Sequence, residues 1–166
     1  MTTNRSASAI LPHAHELPAL PVRTDEELLD RVQAIIRSGI RRQLWFLLLD
    51  ERDCQLPVVM PMDIPVRPRP APGEHLVDAA TALAAFIDLL VETSHAAKVV
   101  IVYERPGAGE LRPADLAWVA HLAEVDARAA TPLRAVVMAS ARRFRVLHSD
   151  RGAPPASGSD QEREGA

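Results

Sequence analysis

The sequence predicts a mixed α/β domain, an α+β mixed sheet with helices on its faces, and three observations carry that reading. Two apolar runs, Gln43–Leu49 and Val99–Val102, are of strand length and lack the polar alternation of a half-exposed strand. Such runs suit strands buried on both faces. Three segments with helical spacing stand before and between strand-like runs. Finally, Lys98 to Ala139 reads as strand, glycine-bearing loop, helix and second strand. That is a βαβ unit if the two strands run parallel.

Taken in order, the elements begin after a segment of mixed Ser, Thr, Ala and Pro. Residues 1–23 are expected to be disordered on this composition. Within them, His13-Ala-His15-Glu16 resembles a metal-binding cluster. Its ligands would have to be ordered on binding, so a specific site is not expected there. Thr24-Asp-Glu-Glu27 is a helix start: Thr24 can cap and Glu27 can reach back to it. Leu28, Val32, Ile35 and Ile36 make one apolar face, and Ser38-Gly39 ends the helix with glycine in the left-handed position. Gln43–Leu49 is a central strand. Asp50–Asp53 is a polar turn of hairpin length, and Gln55–Met62 is the returning strand. Pro57 and Pro61 remove ladder donors, which places that strand at an edge or gives it a bulge.

Residues 65–73 form a proline-rich, semi-rigid connector from sheet edge to helix. A helix is predicted from Glu74 to about His95, with Leu76, Leu83, Ile87 and Leu90 as its core stripe. Ala79, Ala80, Ala84 and Ala85 would allow close approach to the sheet. Lys98–Tyr103 is the second buried strand, broken at Arg105-Pro-Gly107. Pro113 fits the first turn of the next helix, which runs to Ala130, and Asp115 suits that turn's free N–H groups. Leu111, Trp118, Leu122 and Val125 make its apolar stripe. Leu133–Ala139 and Phe144–Leu147 follow as strands joined by a turn at Ser140–Arg143. The chain from 149 to 166 is a disordered tail by composition. The domain thus spans 24–148, in the order α-β-β-α-β-α-β-β.

The chain has 166 residues, 48% of them hydrophobic, enough for one domain with a core. Its net charge of −3 and its 4% aromatic content argue against a nucleic-acid surface. The single cysteine, Cys54, excludes an intrachain disulfide and a cysteine-based zinc site. No signal-peptide pattern and no membrane-length apolar run are present, so a cytoplasmic protein is expected. The Ala, Arg and Pro richness resembles that of proteins from high-GC bacteria.

The element order, and the text VVIVYERPGAGELRPADLAWVAHL…TPLRAVVMASARRFRVL, resemble the JAB/MPN superfamily, especially its bacterial RadC-like branch. The likeness covers about Thr24 to Leu147. It implies a three-layer-like sandwich related to the cytidine-deaminase fold. Metalloenzymes of that family hold zinc with two histidines and an aspartate, and an upstream glutamate serves as base. By this resemblance Tyr103 and Arg105 stand where the histidines would be, Pro106 matches a family proline, and Asp115 matches the aspartate, one residue closer than expected. The region of the glutamate offers Arg42 and Gln43. An arginine at a ligand position should repel zinc. The resemblance therefore implies the fold without its chemistry: no catalytic residue, no metal and no cofactor are expected.

Three functions follow. The first is a non-catalytic JAB-like domain that acts as a protein-interaction module with an unknown protein partner. The second is a small-anion or nucleotide-binding domain using the 104–112 loop, with Arg105, Gly107, Gly109 and Arg112 as its site; Glu104 and Glu110 oppose it. The third is an enzyme of a kind the motifs do not reveal, built on Tyr103, Glu104, Arg105, Asp115 and His121 at the carboxyl end of a central strand. His121 and Glu124 form an HxxE pair on one helix, more often a solvated face. The residues favour the first.

Overall fold

The computed structural model describes residues 20–68 and 78–149. Its elements are α1 (Asp25–Ile36), β1 (Gln43–Leu49), β2 (Gln55–Asp63), α2 (Ala79–Ser94), β3 (Lys98–Glu104), α3 (Pro113–Arg128), β4 (Leu133–Ala139) and β5 (Phe144–Ser149). The predicted element order and the mixed α/β class are both present. The five strands form one sheet in the order β2-β1-β3-β4-β5. β3 and β4 pair in parallel, and the other neighbours are antiparallel. The strand–helix–strand stretch is therefore a parallel β3–α3–β4 crossover, as a parallel pair requires a long connection.

The apolar runs are central strands because both faces are covered. Alternate residues of one strand point to opposite faces. Leu44, Phe46, Leu48, Val99, Ile101 and Tyr103 pack with Ile87 of α2 and with Trp118, Leu122 and Val125 of α3. Leu47, Leu49, Val100, Val102, Ala135 and Val137 pack with Leu28 and Val32 of α1 on the other side. Fully burying each such aliphatic side chain contributes about 1.5–3 kcal/mol. The strand with two prolines, β2, lies at an edge and is irregular as well: Leu47 pairs with Val59 but Leu49 with Gln55, so the ladder shifts around Pro57.

α1 starts as its sequence dictates. The Thr24 hydroxyl accepts from the Glu27 N–H at 3.1 Å, and Glu27 accepts from the N–H groups of Thr24 and Arg23. Those bonds hold the Glu27 carboxyl below its usual range. Its end differs from expectation. The residue with positive φ is Arg37 (φ 60°), and Gly39 is needed for space instead. A Cβ on Gly39 would lie 2.6 Å from the Ala139 carbonyl oxygen and 2.7 Å from that of Arg105. The loop from α1 to β1 thus passes directly over the carboxyl ends of β3 and β4.

α2 begins at Ala79, and the predicted start at Glu74 lies outside the described residues. Asp78 is its extended N-cap, with Oδ1 accepting from the N–H groups of Ala80 and Thr81. Leu76, His75 and most of the proline-rich connector lie outside the described residues. Ala80 and Ala84 face the sheet as expected, but Ala85 is exposed. His95 closes the helix in the left-handed conformation. α3 stops two residues earlier than predicted, and Leu111 lies ahead of the helix, exposed, rather than in its stripe. Residues 1–19 and 150–166, with the His13–Glu16 cluster, lie outside the described residues. Among the described residues no helix is long and apolar enough to cross a membrane.

Candidate functional site

The carboxyl ends of β3 and β4, the loop that follows β3 and the start of α3 bring the predicted site residues together. Tyr103 and Arg105 are two residues apart on an extended chain and so share the face toward α3. The ladder extends through Arg105, whose N–H donates to the Ala139 carbonyl at 3.0 Å. Asp115 lies in the first turn of α3, where its Oδ2 accepts the Arg112 N–H at 2.8 Å. This is one half of a capping box; an arginine side chain has no acceptor with which to supply the other half. The turn's geometry therefore aims Asp115 back at β3.

The result is a buried polar cluster. Arg105 Nη2 lies 2.9 Å from Asp115 Oδ2, with side-chain exposures of 0% and 1%. The Tyr103 hydroxyl donates to Asp115 Oδ1 at 2.9 Å and accepts from Arg42 Nη1 at 2.9 Å. Burial, then the hydrogen bond to Asp115 and its charge, push the Tyr103 hydroxyl up to about 12. The remaining Arg105 donors hold the loop. Nη1 donates to the carbonyls of Pro106 (3.1 Å) and Ala108 (2.7 Å), and Nη2 donates to the Glu110 carbonyl. Arg105 Nε is buried and has no hydrogen-bond partner.

The other face of β3 carries a second polar centre. Glu104 points toward α1, pairing across the ladders with Gln43 and Ala139. Its carboxylate accepts from the N–H groups of Ile40 and Arg41 at 2.8 and 3.0 Å, from Gln43 Nε2, and from Trp45 Nε1 at 2.7 Å. Burial alone would push this carboxyl up, but four donors outweigh it and hold it below the usual range.

Gly107 has φ 95°, a conformation that favours glycine. Its Cα faces the Arg112 guanidinium: a Cβ would lie 2.9 Å from Arg112 Nη2. A Cβ on Gly109 would lie 2.5 Å from Arg143 Cβ. Arg112 and Arg143 are exposed, and Arg105 is not. Of the four residues named for an anion site, Gly107, Gly109 and Arg112 reach the surface loop or line it. Arg105 lies beneath it, committed to Asp115 and three carbonyls. Arg143 and Arg145 were not foreseen there. Arg145 Nη2 donates to the Gly109 carbonyl at 3.0 Å. The hairpin that brings both to the loop was readable, but its docking on a loop over thirty residues earlier was not.

His121 stands apart, half-buried on α3 with its ring edge-on to Trp118 at 5.5 Å between centroids. With Asp78, Glu124 and Pro68 it lines a cleft of about 260 Å³ between α2 and α3. Burial lowers its pKa; Glu124 opposes that shift. Among the described residues no group of three or more His, Cys, Asp or Glu is placed to hold a metal ion. No protein-family model matches the chain, and no curated protein matches its sequence.

Proposed function

We propose that this chain is a non-catalytic domain of JAB-like ancestry that acts by binding another protein. One observation carries the reading: the three positions that the resemblance aligns with metal ligands, Tyr103, Arg105 and Asp115, do meet, as a buried ion pair and hydrogen bond. The guanidinium takes the carboxylate that a metal would need. Removing one partner of a buried pair costs about 3–5 kcal/mol, so a divalent cation would have to displace a stabilising contact. The same end of the sheet exposes Ile40 (73%), Leu111 (41%) and Leu116 (55%), apolar side chains that a partner would cover.

The non-catalytic half is tested by the metal content of untagged protein purified without chelators. No stoichiometric zinc is expected; zinc matching the protein chain for chain would overturn the reading. The binding half is tested by crosslinking in the source cell. A partner crosslinked to the wild type should be lost with Ile40→Ser/Leu116→Ser. Indifference of every crosslinked product to that pair would remove this surface from the proposal.

A second reading has one observation in its favour. Burial lowers the His121 pKa in a cleft that also holds Asp78 and Glu124, which favours the unprotonated form a general base needs. Its arrangement supports an enzyme built on the α2–α3 cleft and not on the β3 loop.

A further inference from the structure

The loop between β3 and α3 has an arrangement of backbone groups that the protein-binding reading does not use. Every carbonyl from Pro106 to Glu110 is taken by a donor of the domain. Arg105 takes those of Pro106, Ala108 and Glu110. The Ala141 N–H takes that of Gly107 at 3.1 Å, and Arg145 takes that of Gly109. The N–H groups of residues 107–111, five in succession, meet no acceptor among the described residues. Backbone donors left in a run on an ordered loop are what anion sites are made of.

Exposed cations surround the same loop. Arg112 folds over Gly107, and the Arg143 side chain lies against Gly109. Two residues of chain span at most about 7 Å, so both arginines bracket one short stretch. Neither guanidinium has a carboxylate within ion-pair distance among the described residues. Arg142 stands beside them, exposed. The carboxylates in the neighbourhood are Glu110 on the loop and Asp25, Glu26 and Asp30 of α1, which share a cleft with Arg142 and Arg143. Asp115 is occupied by Arg105, which is buried. Arg112, above Gly107, is therefore the cation least offset.

We infer that the 106–111 loop, with Arg112 and Arg143 over it, binds a phosphoryl group. Guanidinia in a planar fork match phosphate oxygens two at a time, and the unaccepted N–H groups would serve the remaining oxygen. Arg105 is a positioning residue: by holding three carbonyls it fixes the loop's donors without touching the ligand. Both glycines are required because a Cβ at either would displace the arginine above it. This inference stands on the loop alone and survives if the JAB-like ancestry or the protein partner proves wrong.

The test is an amide chemical-shift titration of the full chain with sodium phosphate, with ADP and with a phosphoserine peptide, each at constant ionic strength. Saturable shifts of Gly107, Gly109 and Glu110 are expected, with a Kd on the order of 1 mM for orthophosphate. Tighter binding of ADP identifies a nucleotide as the source, and tighter binding of the peptide a phosphorylated protein. Arg112→Ala/Arg143→Ala, which alters only exposed side chains, should weaken binding at least about tenfold. Arg128→Ala, at the far end of α3, should leave it unchanged. Gly107→Ala should weaken it as well. Shifts that chloride reproduces, or that survive the double substitution, would overturn the inference.

Discussion

The residues that organise the carboxyl end of the sheet are charged and buried, and each is held by a particular set of donors or acceptors. Glu104 shows the logic. Its carboxylate lies inside the protein because four neutral donors, two of them backbone N–H groups, converge on it. Glu104→Gln turns one acceptor oxygen into a donor facing other donors. It should cost about 2 kcal/mol in denaturant unfolding, the usual penalty of an unpaired buried polar group. The sign of the pH effect follows from the lowered pKa. The carboxylate stabilises the fold above its unfolded value of 4.5, and that contribution is lost as pH falls through the lower, folded value. The variant should therefore lose less stability than wild type between neutral and acid pH; equal losses would count against this account. Nothing in the local sequence marks Glu104 as buried. Its partners come from β1 and the loop before it, about sixty residues earlier. Tyr103, Arg105 and Asp115 are grouped both by the family resemblance and by their place at the carboxyl end of a central strand, but neither reveals that an ion pair joins two of them. Arg134 was missed for a different reason. It is the extra residue where Val99 pairs with Leu133 and Val100 with Ala135, and this bulge sends a buried guanidinium to Asp25 and Ser149.

At the scale of elements, the helices and strands were legible wherever a local rule sufficed. The capping box of α1, the buried runs of β1 and β3 and the proline-marked edge of β2 all follow from contacts within a few residues. Element ends were less legible because neighbours set them. Gly39 is the clearest case: it is small because backbone carbonyls of Ala139 and Arg105 lie close above it, whereas the turn itself is made at Arg37. Gly39→Ala should lower stability by about 1–3 kcal/mol, the cost of overpacking against backbone that cannot swing aside. A loss no larger than that of an exposed-site alanine would show that the loop can lift off. The cleft between α2 and α3 gives a second prediction. His121 has a lowered pKa, so its neutral form favours the fold. That contribution is complete above the unfolded value of about 6.5 and is lost as pH falls below it toward the folded value. A two-dimensional NMR titration should find the His121 midpoint below the ordinary histidine value of about 6.5; a midpoint at or above it would remove the basis for a catalytic role.

For the whole molecule, one sheet separates two apolar clusters, with α1 on one side and α2 and α3 on the other. Its exposed border at β2 is managed by proline: Pro57 stands in the irregular stretch and Pro61 opposite Trp45. Replacing both with valine should restore ladder donors beside the exposed Val58 and promote edge-to-edge association. Light scattering after size exclusion should show a concentration-dependent rise in mass that wild type lacks. An unchanged mass would mean that the edge is protected by other means. The central claim concerns the opposite feature, the buried ion-paired cluster that stands where the resemblance would put a metal. It is tested most directly by thermal and denaturant unfolding of wild type, Arg105→Met, Asp115→Asn and the double variant, each with and without zinc. The account predicts that each single change costs about 3–5 kcal/mol, that the double costs less than the two together, and that zinc leaves wild type unmoved. Zinc that raises the wild-type Tm, or an Arg105→Met variant as stable as wild type, would contradict it.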